Sequence, residues 1–507
     1  MGFKFVVLWT DAALWAVWIG VAAYAWRVSR QAQLRATWRK LLRDAPALCA
    51  ALVLALFVLV TLVDSVHFRF AVPASGQGAG AAPVPAGEAA PAERVFYDSR
   101  TLSLLDLVLA RPIAMRESTY SAPLACRALL KQAVSRAGQV VRELPRLQHG
   151  CAHLGHAGEA DDAALDHDRA ADIAWRTAAG LLVGAAVALA ASVGVAARLR
   201  RRHGGLASAW RDLLADRTEL PLRAVLLTFS VVCLVVGPVV ALAGQYHVFG
   251  TDRTGNDVLV QALKSVRTAF VIGMLSTLAT LPLAVLLGIV AGWYRRWVDE
   301  LVQYLYTTLA SVPNVLLIAA CVLMVQVAID THPDWFDTGA ERADLKVFLL
   351  CLILGLTGWA TLCRLVRAET LKLRELEFVQ AATAFGVPAT RIMARHILPN
   401  VLHLVLITAV LNFSDLILYE AVLTYVGVGV DASTSSFGGM INLARTEMSR
   451  EPVVWWSFAA AFGGMVSLVL AANLFADGVR DAFDPRARAL RPRLVRRVVR
   501  PLTGGTP

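Results

Sequence analysis

The sequence predicts an all-α polytopic membrane protein with about nine transmembrane helices and a small helical insertion outside the membrane. Hydrophobic residues make up 57% of the 507 residues and charged residues only 17%, and the mean hydropathy is +0.58. A helix needs about 20 apolar residues to cross a bilayer. Nine such runs are present, at 5–26, 46–66, 173–197, 222–244, 268–292, 302–328, 345–363, 400–428 and 453–476.

The positive charges indicate which side of the membrane each loop occupies. The net charge is +11, and the arginines and lysines are concentrated in three segments, 27–43, 198–217 and 486–500. Short loops rich in Lys and Arg mark the cytoplasmic side. We therefore expect the N-terminus and residues 67–172 to lie outside and the C-terminus inside. Because this charge lies directly beside spans, nucleic acid is not an expected partner.

Residues 1–66 contain the first two predicted spans. Ala23-Tyr24-Ala25 is similar to a signal-peptide cleavage site, so a cleaved leader is the alternative. Against it, Lys4 is the only basic residue ahead of a long, tryptophan-rich run, and arginines follow the run directly. We therefore expect this span to be retained. Asp11 and Asp64 lie near the outer ends of the two spans and are expected at the membrane interface.

Residues 67–172 form the predicted insertion. A linker rich in Gly, Ala and Pro occupies 73–92, and such a composition builds no packed core. A cap follows at 93–172. Helical apolar spacing at 101–110 and at 125–144 predicts that this cap is mostly helical.

Cysteines and histidines suggest how the cap is held together. Of seven cysteines, only Cys126 and Cys151 lie outside the predicted spans. An oxidising compartment favours a disulfide between them, which would stabilise the cap by about 3 kcal/mol. Two free buried thiols are the alternative. His149 and His153, four residues apart, have a spacing usable for a metal, but the glycines and scattered acids around them favour a solvated loop. We expect no metal site.

The rest of the chain divides into a third span with a basic loop (173–221), six further spans (222–486) and a basic tail (487–507). Ionisable groups inside spans are costly and often functional, which draws attention to Asp415 and Glu420 in the eighth span. Five residues apart, they point about 140° apart around a helix and cannot share one narrow stripe. Each of them could instead simply form a hydrogen bond with a neighbouring helix. Pro313 is expected to kink the sixth span.

A short motif between the seventh and eighth spans points to a coupling element. Small residues at Ala381 and Ala382 allow another protein to approach closely, Gly386 suits the left-handed position that ends a helix, and Pro388 opens the next turn. This stretch resembles the EAA loop by which permease subunits of ABC importers dock on their ATPases. The residues that match it, or flank it closely, are Glu377, Gln380, Ala381, Ala382, Gly386, His396, Leu398 and Pro399.

Further motifs, in the same order along the chain, resemble the C-type permease subunit of dipeptide/oligopeptide ABC importers. One is the outer signature before the fifth span, with Gly250, Thr251, Asp252, Gly255 and Asp257. The others are Trp297-Val298-Asp299-Glu300, the run from Glu420 to Gly429, and the run from Asp477 to Arg486. The resemblance covers 220 to about 486, roughly half of the chain.

The resemblance implies a six-span permease core in a bacterial inner membrane, preceded here by three extra spans. It implies that the chain couples ATPase closure to alternating access for peptides. The implied partners are a second, B-type permease, two ABC ATPase subunits, a periplasmic solute-binding protein, membrane lipid and the peptide. Glu420, Asp415 and Tyr425 are assigned to the translocation pathway, Glu420 by its match to a family acid.

The same resemblance implies that the chain is not an enzyme. ATP would be bound by the partner ATPases, and no cofactor is expected in this chain. Gly250 to Gly255 is not a phosphate-binding loop, because no Gly-Lys-Ser/Thr follows it.

Departures from the family pattern leave alternatives open. Gln380 replaces the acid that leads the coupling motif, and Asn256 replaces an arginine in the outer signature. The same architecture could carry nickel chelates or antimicrobial peptides. A sensor or scaffold that keeps the permease fold without transport is the third possibility. The cap is expected to dock the binding protein or to guard the outer mouth.

Overall fold

A computed structural model of the chain describes residues 3–71, 97–98, 100–136, 139–154, 162–203, 205–216, 218, 220–336 and 338–483. The predicted linker at 73–92 and the basic tail at 487–507 lie outside the described residues. The described part is dominated by helices and contains one three-stranded and one two-stranded sheet, both small.

The N-terminal unit consists of two long helices joined by a short one. Its elements are β1 (Phe3–Val6), α1 (Trp9–Arg30), α2 (Ala32–Leu41), α3 (Ala45–Asp64) and β2 (His67–Phe70). Antiparallel pairing of β1 with β2 ties the start of α1 to the end of α3 at one end of the pair. The short helix α2 joins them at the other end.

The cap is less helical than its apolar spacing predicts. Its elements are β3 (Leu102–Ser103), α4 (Leu104–Val108), α5 (Ala110–Ala114), β4 (Gln132–Arg136), β5 (Gln139–Glu143) and one turn of 3₁₀ helix (Ala152–Leu154). The expectation of a helix at 125–144 was wrong, because β4 and β5 form an antiparallel hairpin there. The sequence of the two strands contains three valines, a residue type that favours strands.

The remaining helices form the body of the protein. They are α6 (Asp162–His203), α7 (Leu206–Leu214), α8 (Leu222–Ala243), α9 (Val258–Tyr294), α10 (Arg296–Ser311), α11 (Asn314–Asp330), α12 (Gly339–Arg374), α13 (Glu377–Ala384), α14 (Ala389–Ile392), α15 (Leu398–Tyr425), α16 (Phe437–Glu447) and α17 (Trp456–Phe483). A π-helical turn, Met393–Ile397, joins α14 to α15.

The described helices confirm the polytopic prediction. Eight are long and apolar enough to cross a membrane, and α10 with α11 makes a ninth span if that bent pair is counted as one. The two helices meet at an angle of 88°. Pro313 lies at this break, as predicted, and α11 begins at the next residue. All nine predicted runs therefore correspond to helices or to this broken pair.

Close packing of α9 against α12 and α15 builds the centre of the body. Gly288 and Gly292 of α9 lie against Val366 and Thr370 of α12, where an added Cβ would come within 2.8 Å of their side chains. Small residues at these positions let the two backbones approach, the usual way membrane helices associate without a hydrophobic driving force. The ends of this helix pair position the functional regions described below.

A buried polar cluster joins the N-terminal unit to this body. Arg267 of α9 donates hydrogen bonds to Asp11 Oδ1 (2.6 Å) and Thr10 Oγ1 (2.9 Å), and it lies 3.7 Å from Asp344 of α12. Asp344 in turn accepts hydrogen bonds from the backbone N–H (2.9 Å) and the hydroxyl of Thr10. Asp11 is therefore buried at the start of α1 with its charge opposed by Arg267, and its place at the membrane interface stays a prediction.

Further polar contacts surround this cluster. His67 Nδ1 lies 2.7 Å from Asp11, and Arg69 forms an ion pair of 2.9 Å with Glu341 of α12. Asp64 is also buried, and it accepts a hydrogen bond of 2.6 Å from the Ser103 hydroxyl of the cap. The N-terminal unit is thus attached to the body and to the cap by polar contacts.

Candidate functional site

The predicted coupling motif forms a helix–turn–helix at one end of the body. Gly386 has φ +73°, and its N–H donates to the Thr383 carbonyl at 3.0 Å. The N–H of Val387 donates to the Ala382 carbonyl at 3.1 Å. These two bonds define a Schellman motif, which ends α13 and turns the chain toward α14. Glycine is required here because its backbone lies in the left-handed region.

Most of this helix–turn–helix is open to solvent. Buried Val379 and Ile392 hold it against the body, whereas Ala381 and Gly386 are exposed. Phe385 is 86% exposed, and sequence reasoning did not single it out. An aromatic side chain that projects this far from a small-residue helix has the character of a binding anchor, since aromatic residues dominate interface energetics.

The other predicted coupling residues lie around the same turn. Gln380, the residue that replaces the family acid, donates to the Glu375 carbonyl of its own chain at 3.2 Å. Glu377 and Pro399 are exposed, and Leu398 is half-buried. The His396 ring lies 6.1 Å from the ring of Phe378. The structure therefore brings the whole predicted set together in one region.

Ion pairs fix the base of the coupling turn. Arg367 of α12 binds both carboxylate oxygens of Asp299, at 2.5 and 2.7 Å, a bidentate arrangement that sets orientation as well as distance. Asp299 belongs to the second resemblance motif, and its partner was not predicted. Arg295 likewise lies 2.6 Å from Glu375, just ahead of α13. These contacts position α13 relative to α10 and α12.

In the eighth span, α15, the structure separates the two acids as their spacing predicts. Glu420 is 1% exposed and accepts a hydrogen bond of 2.9 Å from the Thr424 hydroxyl. It lies against α16, where an added Cβ on Gly438 would be 3.1 Å from its Oε1. Asp415 is exposed, and it shares a stripe on α15 with three other exposed side chains: Leu418, Val422 and Tyr425.

The outer signature contacts the cap directly through Thr251 and Gly255, and we call this contact the seat of the cap. Thr251 donates its N–H to the Ser121 carbonyl (3.1 Å), and its hydroxyl accepts the Ser121 N–H (2.7 Å). The Glu117 N–H donates to the Gly255 carbonyl at 3.0 Å. Gly250 (φ +70°) and Gly255 (φ +77°) permit this contact, because a Cβ at either would collide with a cap carbonyl. The signature thus binds the insertion directly.

The other signature residues organise the loop itself. The Asp252 carboxylate accepts the N–H groups of Thr254 (2.8 Å) and Asn256 (2.9 Å), and Asp257 caps the start of α9 by accepting the Leu259 N–H at 2.8 Å. Asn256, in place of the family arginine, leaves this turn intact.

A buried charged triad beneath this seat was missed by the sequence reasoning. His247 Nδ1 lies 2.9 Å from Asp257, and its Nε2 lies 3.7 Å from Glu117 of the cap. Burial opposes the charged imidazole, but hydrogen bonding and the negative charges of Asp257 and Glu117 raise the pKa of His247 to about 9. The histidine is therefore positively charged at neutral pH and bridges two carboxylates.

Glu117 is stabilised as an anion. Burial alone would raise its pKa, but the nearby His247 and the N–H groups of Gly150, His149 and Gln148 lower the pKa of Glu117 to about 2. These three N–H groups lie 2.8–2.9 Å from the carboxylate. The side chain thus joins two parts of the cap to the body.

We expect the attachment of the cap to depend on pH. The pKa of His247 is raised, so its contribution is complete below about pH 6.5 and is lost as pH rises through about 9. The pKa of Glu117 is lowered, so its contribution is complete above about pH 4.5 and is lost as pH falls through about 2. Thermal unfolding of the purified chain should show a plateau between these limits and a decline above it. His247→Gln should remove the decrease in unfolding temperature at alkaline pH. His332→Gln, at an exposed histidine, should preserve that decrease.

The disulfide expected in the cap is present. Cys126 and Cys151 are bonded, with their Cα atoms 5.3 Å apart. Within the described residues no group of His, Cys, Asp and Glu has the arrangement of a metal site. His153 lies 2.9 Å from Asp172 of α6, which also accepts hydrogen bonds from Arg176 and Tyr246. His156 lies outside the described residues.

Comparisons with known proteins identify related membrane permeases. Residues 284–489 match the family described as binding-protein-dependent transport system inner membrane component. The oligopeptide transport system permease protein OppC of Mycobacterium tuberculosis H37Rv is 31% identical over 248 residues, which is 49% of this chain and 79% of the relative. OppC of Haemophilus influenzae is 31% identical over 243 residues, 48% of this chain and 71% of the relative.

A putative peptide permease of Brucella suis is 32% identical over 242 residues, 48% of this chain and 74% of the relative. The family match spans the coupling turn and α15, whereas the cap and the three N-terminal spans lie outside it.

Proposed function

This chain belongs to the binding-protein-dependent transport system inner membrane components, as a permease subunit of the peptide ABC importer type, and we propose that it forms one half of a transmembrane pathway for peptides. The relatives named as oligopeptide permeases support the cargo. In this proposal the chain hydrolyses no ATP, and partner ATPases bind the nucleotide.

The exposed coupling turn is the observation that carries the proposal. The small side chains of Ala381 and Ala382 leave room for a partner to approach closely, and Phe385 projects beside them. From this turn runs a single helical stretch, Ala389–Tyr425, that is long and apolar enough to cross a membrane. Movement of the turn by a closing ATPase pair would therefore move the outer end of α15 directly. Such a bistable interface is how importers switch between states without covalent chemistry in the membrane subunit.

Full assembly requires further subunits. We propose a second permease beside α15, two ATPases beneath the coupling turn and a solute-binding protein on the opposite side. The N-terminus then lies outside and the C-terminus inside a bacterial inner membrane. Charge placement supports this orientation, because the basic segment 27–43 is at the end of the body that carries α13.

The exposed stripe of α15 is our candidate for the wall of the pathway. Asp415 lies within a span and is exposed, and a carboxylate facing lipid there would be costly. The stripe must therefore face water or the second permease. An acid in the pathway favours a peptide's ammonium group by charge. Buried Glu420 has a different role in this proposal, because it braces α16 against α15 at the outer gate rather than touching cargo.

The experiment is co-purification of the tagged chain in mild detergent, read by mass spectrometry. We compare the native chain with Phe385→Asp, and with Phe3→Asp as a control that places the same change on an exposed aromatic at the opposite end. Losing an aromatic hot spot costs about 2–4 kcal/mol, so we expect ATPase recovery to fall at least about tenfold for Phe385→Asp.

The control should retain the ATPases. Equal ATPase recovery with both variants would contradict the docking assignment. If the native chain itself recovers no ATPase, the second candidate function takes precedence. That candidate is a sensor or scaffold without transport. One observation favours it: Gln380 bonds to its own chain, so the motif has lost the acid that would reach a partner.

A further inference from the structure

A dense positive surface lies where α1 turns into α3. Its six members, which we call the basic corner, are all exposed: Arg27, Arg30, Arg35, Arg39, Lys40 and Arg43. No acidic residue occurs between the first and the last of them. Among the described residues, the corner's contacts do not include an ion pair to an acidic side chain. Its charge is therefore free to bind an external anion.

Helix α2 carries part of this charge, and its apolar side packs against the body of the protein. The Trp38 ring lies 5.7 Å from the Phe483 ring of α17 in an edge-to-face arrangement. Leu41 is buried and packs with Ala47 and Val479. Since these contacts hold one side of α2 against the body, Arg35, Arg39 and Lys40 project on the other side.

The surroundings of the basic corner place it against the bilayer. α1 exposes large apolar side chains along its length, including Trp15, Ile19 and Trp26, as expected for a helix that faces lipid. At its end, the Arg30 guanidinium lies 4.0 Å from the centre of the Trp26 ring. Tryptophan is enriched at the level of lipid headgroups, so Trp26 marks the depth at which the cations lie.

The turn that follows is held in place by the chain itself. Arg35 donates a hydrogen bond to the Ser29 carbonyl, and Ser29 donates to the Trp26 carbonyl at 2.7 Å. These bonds link the end of α1 to α2 across Gln31. The cations are therefore presented by an ordered turn between two spans.

We propose that the basic corner binds the phosphate headgroups of acidic phospholipids in the surrounding leaflet. Guanidinium groups match phosphate oxygens with two parallel hydrogen bonds. Clusters of Lys and Arg immediately beside membrane spans attract anionic lipids, an effect that adds up with each cation. The corner is separate from the coupling turn, since α2 packs on α17 and α1, whereas α13 packs on α12 and α14.

The test measures retention of phosphatidylglycerol by the full-length chain, using native mass spectrometry and titration into detergent micelles. The variant is the triple substitution Arg35→Gln, Arg39→Gln, Lys40→Gln. The matched control removes three exposed cations from the coupling region: Lys372→Gln, Arg391→Gln, Arg395→Gln. Both variants change the net charge equally. Thermal unfolding in phosphatidylcholine micelles verifies that each variant is folded.

We expect the triple variant to bind phosphatidylglycerol at least about tenfold more weakly than the native chain, and the control to change by less than about twofold. High salt should reduce the native affinity, because exposed charges are screened. Equal binding by the variant and the native chain, or equal native affinity for phosphatidylcholine, would overturn the proposal. It would also be overturned if the variant lost an ATPase subunit while keeping its lipid, because the corner would then be a protein-docking surface.

Discussion

Replacing Arg267 by Met is expected to lower the free energy of unfolding by about 3–5 kcal/mol, because it leaves Asp11 and Asp344 buried without their counter-charge. Arg267 donates to Asp11 at 2.6 Å and lies 3.7 Å from Asp344. Methionine fills a similar volume, so the loss comes from charge rather than from a cavity. The cost exceeds that of any surface pair, whose contribution is about 0–1 kcal/mol.

The measurement is unfolding of the purified variant in mixed micelles, followed by tryptophan fluorescence. Arg342→Met is the matched control, because Arg342 belongs to the same helix as Asp344 but is 43% exposed and pairs loosely with Asp330, at 4.0 Å. We expect its unfolding free energy to change by less than about 0.5 kcal/mol. A loss below about 1 kcal/mol for Arg267→Met would contradict the cluster as a source of stability.

The triple change Arg267→Met, Asp11→Asn, Asp344→Asn gives a second readout. It removes the stranded charges together with their partner, so it should be less destabilising than Arg267→Met alone. If it is more destabilising, the contacts of these side chains matter through packing and not through charge.

Replacing Gly255 by Ala is expected to release the cap from the body. A side chain at φ +77° costs about 1–2 kcal/mol by itself. The added Cβ would also overlap the Glu117 carbonyl, so the hydrogen bond between the Glu117 N–H and the Gly255 carbonyl cannot keep its geometry. Displacing Glu117 removes one carboxylate from His247. We therefore expect a total loss of about 2–4 kcal/mol, concentrated in the seat of the cap.

Hydrogen exchange of the backbone amides at 117–121 is the appropriate measurement, since it reports local opening. These amides should exchange faster in Gly255→Ala, while those of α9 and α12 keep their protection. Gly244→Ala is the control: it is near the same end of the body, has φ −83°, and has no atom within 4 Å of the added Cβ. Equal exchange in both variants would show that the cap does not depend on this seat.

Features set by local sequence were predicted well. The positions of the spans follow from apolar run length, the break at Pro313 from its missing N–H, and the end of α13 from Gly386. The 140° separation of Asp415 and Glu420 follows from helix geometry alone, and the structure exposes the first and buries the second.

Features set by distant contacts were not predicted. The partner of Asp11 lies 256 positions away in Arg267, and nothing in the local pattern around either residue indicates the pair. The cap hairpin was interpreted as helix because short apolar runs fit both periods. Phe385 is aromatic and yet exposed, so its apolar character misleads any rule that places aromatic residues inside.

The ion pair between Asp11 and Arg267 also has a consequence for synthesis. Chains grow at about 5–20 residues per second, and these residues are 256 positions apart. Asp11 therefore emerges roughly 13–51 s before its arginine exists. During that time the carboxylate of Asp11 lacks its arginine partner and has only His67, 56 positions further along the chain, within 2.7 Å. The buried ion pair that joins α1 to the body can thus form only after α9 has been made, so a ribosome that stalls between the third and fifth spans leaves α1 without this contact.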